Sequence, residues 1–214
     1  MDANQIAGAV KVITDKDTLV YYAQLIQRKA PEYFDLLTAG TEQEFEDAFT
    51  ALLQEAVAYL ERNKDNFKKP KENALTAVVV AYLNVPGLKA TQEEHSNGHV
   101  DITIVAEHCV PARRKLGEAK IYKTPSYHKQ GLEQLIGRYS TGREIRGLLL
   151  NYVTKEGIAD VIKNLRKSLD TDRPQEQKGP TQDHLLKWSF SSVHGYSSGD
   201  DLAVDHIGFN LYVK

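Results

Sequence analysis

The sequence predicts an α/β (α+β) fold: a mixed central sheet carried on helices, preceded by a helical extension and closed by a C-terminal β-hairpin. Three observations predict it. Apolar residues recur at helical spacing through the first sixty-nine positions. The middle of the chain then runs helix, three alternating strands, helix and apolar strand. The tail holds two strand-like runs about the turn-forming segment 195–201.

In the extension, 1–69, an early amphipathic stretch contains Leu19, Tyr22, Leu25 and Ile26, and Pro31 opens a further short helix. Thr41-Glu42-Gln43-Glu44 reads as a capping box, in which hydroxyl and carboxylate satisfy otherwise orphaned amides. Phe45, Phe49, Leu52, Leu53, Ala56 and Leu60 follow as one apolar stripe. Residues 63–71 are polar and lysine-rich and include Pro70, so they form the expected joint with the domain 70–214. A helix over 71–83 ends near Asn84, ahead of Pro86-Gly87. Strands follow at 88–93, 99–104 and 115–122, the first two joined by a turn at 96–98. A helix over 127–140 leads to an apolar strand at 147–153, and another helix covers 158–169. Residues 168–183, with Pro174, Gly179 and Pro180, read as a surface loop. Runs 185–193 and 202–213 complete the hairpin, with Trp188 and Phe190 alternating into the core.

Composition narrows the functional classes. At 41% hydrophobic and 26% charged, the chain is ordinary for a globular protein. No apolar run approaches the roughly 18–20 residues that span a bilayer. The N-terminus Met1-Asp2-Ala3-Asn4-Gln5 lacks the basic and apolar stretches of a secretory signal, so the cytoplasm is the expected location. Cys109 stands alone, which rules out an internal disulfide and argues against a thiolate zinc site. A net charge of −2 argues against wholesale coating of nucleic acid but permits a local basic groove.

The chemistry-bearing segments are Gly98-His99-Val100-Asp101-Ile102 and Leu116-Gly117-Glu118-Ala119-Lys120-Ile121-Tyr122. Side chains alternate along a strand, so Glu118 and Lys120 share one face while Ala119 and Ile121 take the other. Asp101 is out of phase with Val100 and Ile102. If the two strands pair, two carboxylates and an ammonium converge in a half-buried spot, which is costly without compensation. Mg²⁺ or Mn²⁺ would supply it, since a hard cation takes one or two carboxylates plus water and phosphate. Bound there, such an ion polarises a phosphodiester and lowers the pKa of a bound water.

These residues resemble the signature of the PD-(D/E)XK nuclease superfamily: an acid, a variable gap, then an acid, any residue and lysine. Val100 stands where the named pattern has proline. The resemblance covers residues 71–153 and implies a restriction-endonuclease-like αβββαβ core with Asp101, Glu118 and Lys120 at its centre. It also implies a glutamate from the preceding helix, matched by Glu72, which shares a stripe with Thr76, Val79 and Leu83. Glu72, Asp101 and Glu118 are then the expected metal ligands. Some branches add a glutamine, three residues and a tyrosine on the following helix. Here Gln134 and Tyr139 are one residue further apart, so helical spacing gives Arg138 the place beside Gln134 and sends Tyr139 to the apolar stripe.

The phrase Gly131-Leu132-Glu133-Gln134-Leu135-Ile136-Gly137-Arg138-Tyr139 looks like small restriction-endonuclease-like proteins of prokaryotes, many of which act in defence against foreign DNA. The implied function is metal-dependent hydrolysis of DNA by an endonuclease. The alternatives are an RNA-directed nuclease and a non-catalytic nucleic-acid-binding or interaction module. A homodimer or a regulatory partner protein remains open.

Arg113, Arg114, Lys115, Lys123, Lys129, Arg138, Arg143 and Arg146 crowd about the proposed centre, the footprint a phosphate backbone requires. Lys123, His128, Lys129, Arg138 and Arg143 are the expected nucleic-acid contacts. His128 equally suits a capping role at the helix start. His95 and His99 flank the turn, and His99 shares the phase of Asp101. His184, His194 and His206 lack ligand-like spacing and read as structural.

Overall fold

The computed structural model describes residues 16–67, 69–95, 99–139, 143–144, 146–196 and 198–214; the side chains at 16–17, 93–95, 99 and 138–139 lie outside that description. Among the described residues there are six α-helices and a seven-stranded mixed sheet, so the chain is mixed α/β as expected. It divides into two compact units between Ala51 and Leu52. That division falls inside a helix, whereas the lysine-rich joint expected at 63–71 lies within the second unit.

The first unit contains α1 (Lys16–Lys29), α2 (Pro31–Thr38) and the opening turns of α3 (Glu42–Arg62). The capping box forms. Glu44 Oε2 accepts from the amides of Gly40 at 2.8 Å and Thr41 at 3.0 Å, and the Glu44 amide donates to Thr41 Oγ1 at 3.2 Å. Phe45 and Phe49 stack one turn apart and are fully buried. The α1 stripe is different: Leu19, Tyr22 and Ile26 are about half exposed.

The second unit is built on one sheet. Its strands are β1 (Lys89–His95), β2 (His99–Ala106), β3 (Arg113–Ile121), β4 (Arg146–Val153), β5 (Gln182–Asp183), β6 (Phe190–Gly195) and β7 (Asp201–Asn210). They lie in the order β1-β2-β3-β4-β7-β6-β5. β3, β4 and β7 run parallel, and the flanking pairs are antiparallel. A parallel strand covered on both faces needs apolar residues at successive positions rather than alternate ones. β4 obeys this rule: Leu148, Leu149, Leu150, Tyr152 and Val153 are all buried.

α4 (Glu72–Leu83) buries Thr76, Val79 and Leu83 of the stripe its spacing predicts, together with Leu75, while Glu72 is half buried. α5 (Pro125–Gln134) is capped by Thr124, whose hydroxyl accepts from the Tyr127 amide at 3.2 Å. It passes into a π turn over Leu135–Tyr139, not into the continuous helix expected to residue 140. α6 (Ile158–Asp172) runs into what was expected to be loop and buries Ile158, Val161, Ile162, Leu165 and Leu169.

The tail departs most from expectation. β6 and β7 do pair as a hairpin, but β7 also adds to the central sheet beside β4. The run 185–193 is strand only from Phe190 onward. Trp188 instead adopts a left-handed φ of 59° and is only half buried. Its carbonyl oxygen lies 2.3 Å from where a Cβ on Gly208 would stand, so β7 accommodates this turn only because Gly208 has no side chain.

Candidate metal-carboxylate site

The β2–β3 ladder ends at Ile102 opposite Gly117. Beyond it, β3 continues to Ile121 along β4. Backbone amides alternate between the two edges of a strand, and the Tyr122 amide donates to Tyr152 O on the β4 side at 2.9 Å. Ala119 and Ile121 therefore present their amides to the opposite edge, where β2 no longer supplies carbonyls. A buried amide without a partner is costly. Two carboxylates fill the gap: Asp101 Oδ2 accepts from Ala119 N at 2.9 Å, and Glu72 Oε2 accepts from Ile121 N at 2.7 Å.

The same alternation puts Glu118 and Lys120 on one face of β3, where they form an ion pair. Glu118 is 2% exposed, and its Oε2 has no hydrogen-bond partner among the described residues. Burial, then the charge of Asp101, pushes its pKa up to about 7 against the pull of Lys120; the charge of Glu72 adds to the rise. For Lys120, burial opposes the charge, but Glu118, Glu72 and Asp101 outweigh it and hold the pKa above the ordinary lysine value. Glu72, Asp101, Glu118 and Lys120 thus act on one another electrostatically although they come from one helix and two strands.

Two neighbours shape the setting of Lys120. A Cβ on Gly131 of α5 would stand 3.2 Å from Lys120 Cγ and 3.4 Å from Cε, so the lysine stem runs against bare helix backbone. The Tyr127 ring lies 5.9 Å from Lys120 Nζ and 4.6 Å from Lys123 Nζ, within range for both ammonium groups. Behind Glu72, Thr76 Oγ1 donates to Glu72 O at 2.9 Å and meets the buried Tyr152 hydroxyl at 3.2 Å.

The donor set can be tested against a hard divalent cation. Three carboxylates face one ammonium, and one buried carboxylate oxygen has no partner, which is the chemistry such an ion relieves. Among the described residues no group of three or more His, Cys, Asp or Glu side chains is gathered into a metal cage. The residues therefore suit an open site, with one or two carboxylates and the remaining positions left to water or substrate. They do not suit a closed structural one.

The other expected contacts are dispersed. His128 is buried and bonded through both ring nitrogens, to Asn151 and His206, so it offers nothing to a phosphate and does not cap the helix. Lys129 is held by Asp172 and by Ser168 Oγ at 3.3 Å. Within the wider cluster, Lys115 is buried, Arg146 pairs with Asp205 at 3.1 Å, and Arg113 donates to Cys109 Sγ at 3.5 Å. Lys123 and Arg143 are exposed. Gln134 ends α5 half buried, with no hydrogen bond to Asp101, Glu118 or Lys120 among the described residues. The side chains of Arg138, His95 and His99 lie outside the described residues.

Sequence reasoning passed over Gly131 and Asn151. Both carried a signal: a glycine inside a helix with no turn to serve, and an amide in the middle of an apolar strand. Comparison of the chain with protein families, with characterised proteins and with solved structures found no match.

Proposed function

We propose that the chain is a metal-dependent nuclease of the PD-(D/E)XK type, hydrolysing phosphodiester bonds of DNA on a restriction-endonuclease-like core. One observation carries the reading: the β3 amides of Ala119 and Ile121 are taken by Asp101 and Glu72, which gathers both carboxylates beside Glu118 and Lys120. The helix, three strands, helix, strand order from α4 to β4 supports it, as does the parallel pairing of β3 with β4.

Asp101 and Glu118 would hold a Mg²⁺ or Mn²⁺ ion, and Glu72, with one oxygen committed to Ile121, secures the edge of the strand. The ion would supply Lewis acidity toward the phosphate and a more acidic bound water. Lys120 keeps its proton at neutral pH, so its role is to orient the attacking water and offset negative charge on the phosphate, not to abstract a proton. The π turn bears on the glutamine–tyrosine signature. It pairs residues five apart, so the backbone at Tyr139 comes round toward the side an α-helix would give to Arg138. The extra residue after Gln134 is thereby absorbed, and the spacing argument for Arg138 loses its basis.

The test compares wild type with Asp101→Asn, Glu118→Gln and Lys120→Ala on plasmid, linear and single-stranded DNA and on RNA, with Mg²⁺, Mn²⁺ or chelator. Wild type is expected to cleave DNA only with a divalent ion, and each variant to lose about 100-fold or more while retaining its circular dichroism. Variants that cleave like wild type would sink the reading. Salt-sensitive binding without cleavage under any metal would identify a non-catalytic binding module, and cleavage confined to RNA would move the substrate.

A further inference from the structure

On the face of the sheet that carries Glu118 and Lys120, a second set of polar side chains is sealed from solvent. Asn151 of β4, His128 of α5, His206 of β7, and Ser192 and His194 of β6 are each at most 1% exposed. They form one continuous chain. Asn151 Oδ1 faces His128 Nδ1 at 2.5 Å, and His128 Nε2 faces His206 Nδ1 at 2.8 Å. Ser192 Oγ lies 2.7 Å from both His206 Nε2 and His194 Nε2. His194 Nδ1 ends the chain on two backbone carbonyls, Pro174 O at 3.1 Å and Gln175 O at 3.2 Å. The Phe190 ring stacks on His206 with centroids 4.4 Å apart.

The far end fixes the polarity. Carbonyls only accept, so His194 carries its proton on Nδ1 and offers a bare Nε2. Ser192 must then donate to His194 and accept from His206 Nε2–H. His206 Nδ1 is left bare and accepts from His128 Nε2–H, which leaves His128 Nδ1 bare as well. That nitrogen faces an amide oxygen. Three neutral imidazoles and one hydroxyl supply four protons, and the chain has five links.

Two arrangements close the deficit. One adds a proton and buries an imidazolium. The other turns the Asn151 amide by half a rotation, so that its nitrogen donates to His128 and its oxygen meets Leu149 O, now 3.3 Å from Nδ2. Among the described residues no carboxylate bonds to any of the three rings, so a buried charge has no counter-ion, and its desolvation outweighs one strained amide contact. Burial also holds all three imidazoles below their ordinary pKa. The second arrangement wins.

The near end meets the candidate site. Asn151 is the register partner of Lys120 across the β3–β4 pair. His128 occupies the same turn of α5 as Tyr127 and Gly131, the two residues that bound the Lys120 side chain. We propose that these five side chains form a neutral, one-way hydrogen-bond chain, Asn151 to His128 to His206 to Ser192 to His194, and that His128 is thereby a positioning residue seating the α5 turn that holds Lys120. The consequence for cleavage rests on the nuclease reading; the chain and its polarity do not.

The test is nitrogen NMR of histidine side chains in the full chain near neutral pH, followed by Ser192→Ala. In wild type, His128 and His206 should be protonated on Nε2 alone and His194 on Nδ1 alone. A doubly protonated ring, or His128 protonated on Nδ1, overturns the proposed polarity. Ser192 belongs to β6, three places from β3 in the sheet, so its alanine variant touches neither Lys120 nor α5. It should nonetheless shift the ring signals of His128 and the ε-methylene signals of Lys120 and lower cleavage about tenfold. Ser192→Thr, which keeps the hydroxyl, should restore both. Unchanged Lys120 signals in a folded Ser192→Ala protein overturn the positioning role. If wild type cleaves no nucleic acid while the NMR results hold, the nuclease reading falls and the seating of Lys120 stands.

Discussion

Gly131 is where a single atom decides most. A Cβ there would stand 3.2 Å from both Leu149 Cδ1 and Lys120 Cγ. Two effects compete in Gly131→Ala. Alanine in a helix interior gains about 0.5–1 kcal/mol over glycine, while the crowding costs about 1–3 kcal/mol. The net change in stability is expected to lie between about 0 and 2.5 kcal/mol on the destabilising side. Position is another matter, because the displaced stem carries the ammonium opposite Glu118. Cleavage by Gly131→Ala should fall about tenfold, far more than its thermal melting suggests. A variant that melts lower but cleaves at the wild-type rate would show that the contact is packing alone. The acid–any residue–lysine triplet and Asp101 were legible because strand alternation alone gives their phase. His128 was misjudged because a helix-start histidine looks solvent-facing until the packing of α5 on β4 and β7 is known.

Elements with local signals were read closely, and those with distant causes were not. The capping box at Thr41–Glu44 and the buried stripe of α4 follow from spacing within one or two turns. The insertion of β7 beside β4 has no such signature, since a parallel neighbour leaves no turn in the sequence. Trp188 illustrates the same limit. Its alternation with Phe190 predicts strand, and a close approach to Gly208, twenty residues on, makes a turn instead. The capping of α5 is a local device with a nearby functional consequence. The Thr124 hydroxyl holds the Tyr127 amide, and Tyr127 faces both Lys120 and Lys123. Thr124→Ala should cost about 1 kcal/mol of unfolding free energy. Thr124→Ser should recover most of it, and chemical denaturation of the three proteins checks both. Equal stability of Thr124→Ala and wild type would show that the cap is replaced by water.

For the molecule as a whole, the buried histidines and the buried glutamate set opposing pH dependences, and their sum is predictable in sign. Burial lowers His128 from 6.5 to about 4, so between those values the unfolded chain binds a proton that the folded chain refuses. Stability then rises with pH across the window and is lost as pH falls from about 6.5, by about 3 kcal/mol for this group alone. His184, His194 and His206 are lowered in the same direction. Glu118 runs the other way. Raised from 4.5 to about 7, it binds its proton more tightly when folded, and that contribution is full below 4.5 and gone above 7. Burial also raises Glu61, so two carboxyls stand against four imidazoles, which leaves the acid side dominated by histidine. In chelator, the melting temperature should therefore peak near pH 6.5, fall steeply toward pH 4, and ease slightly up to pH 7. Glu118→Gln removes that residue's share of the opposing slope, so the variant's acid limb should steepen and its alkaline side flatten. A melting temperature that is level from pH 6.5 down to 4 would mean the three chain histidines are already charged in the folded protein, contradicting both their burial and the proton count of the chain.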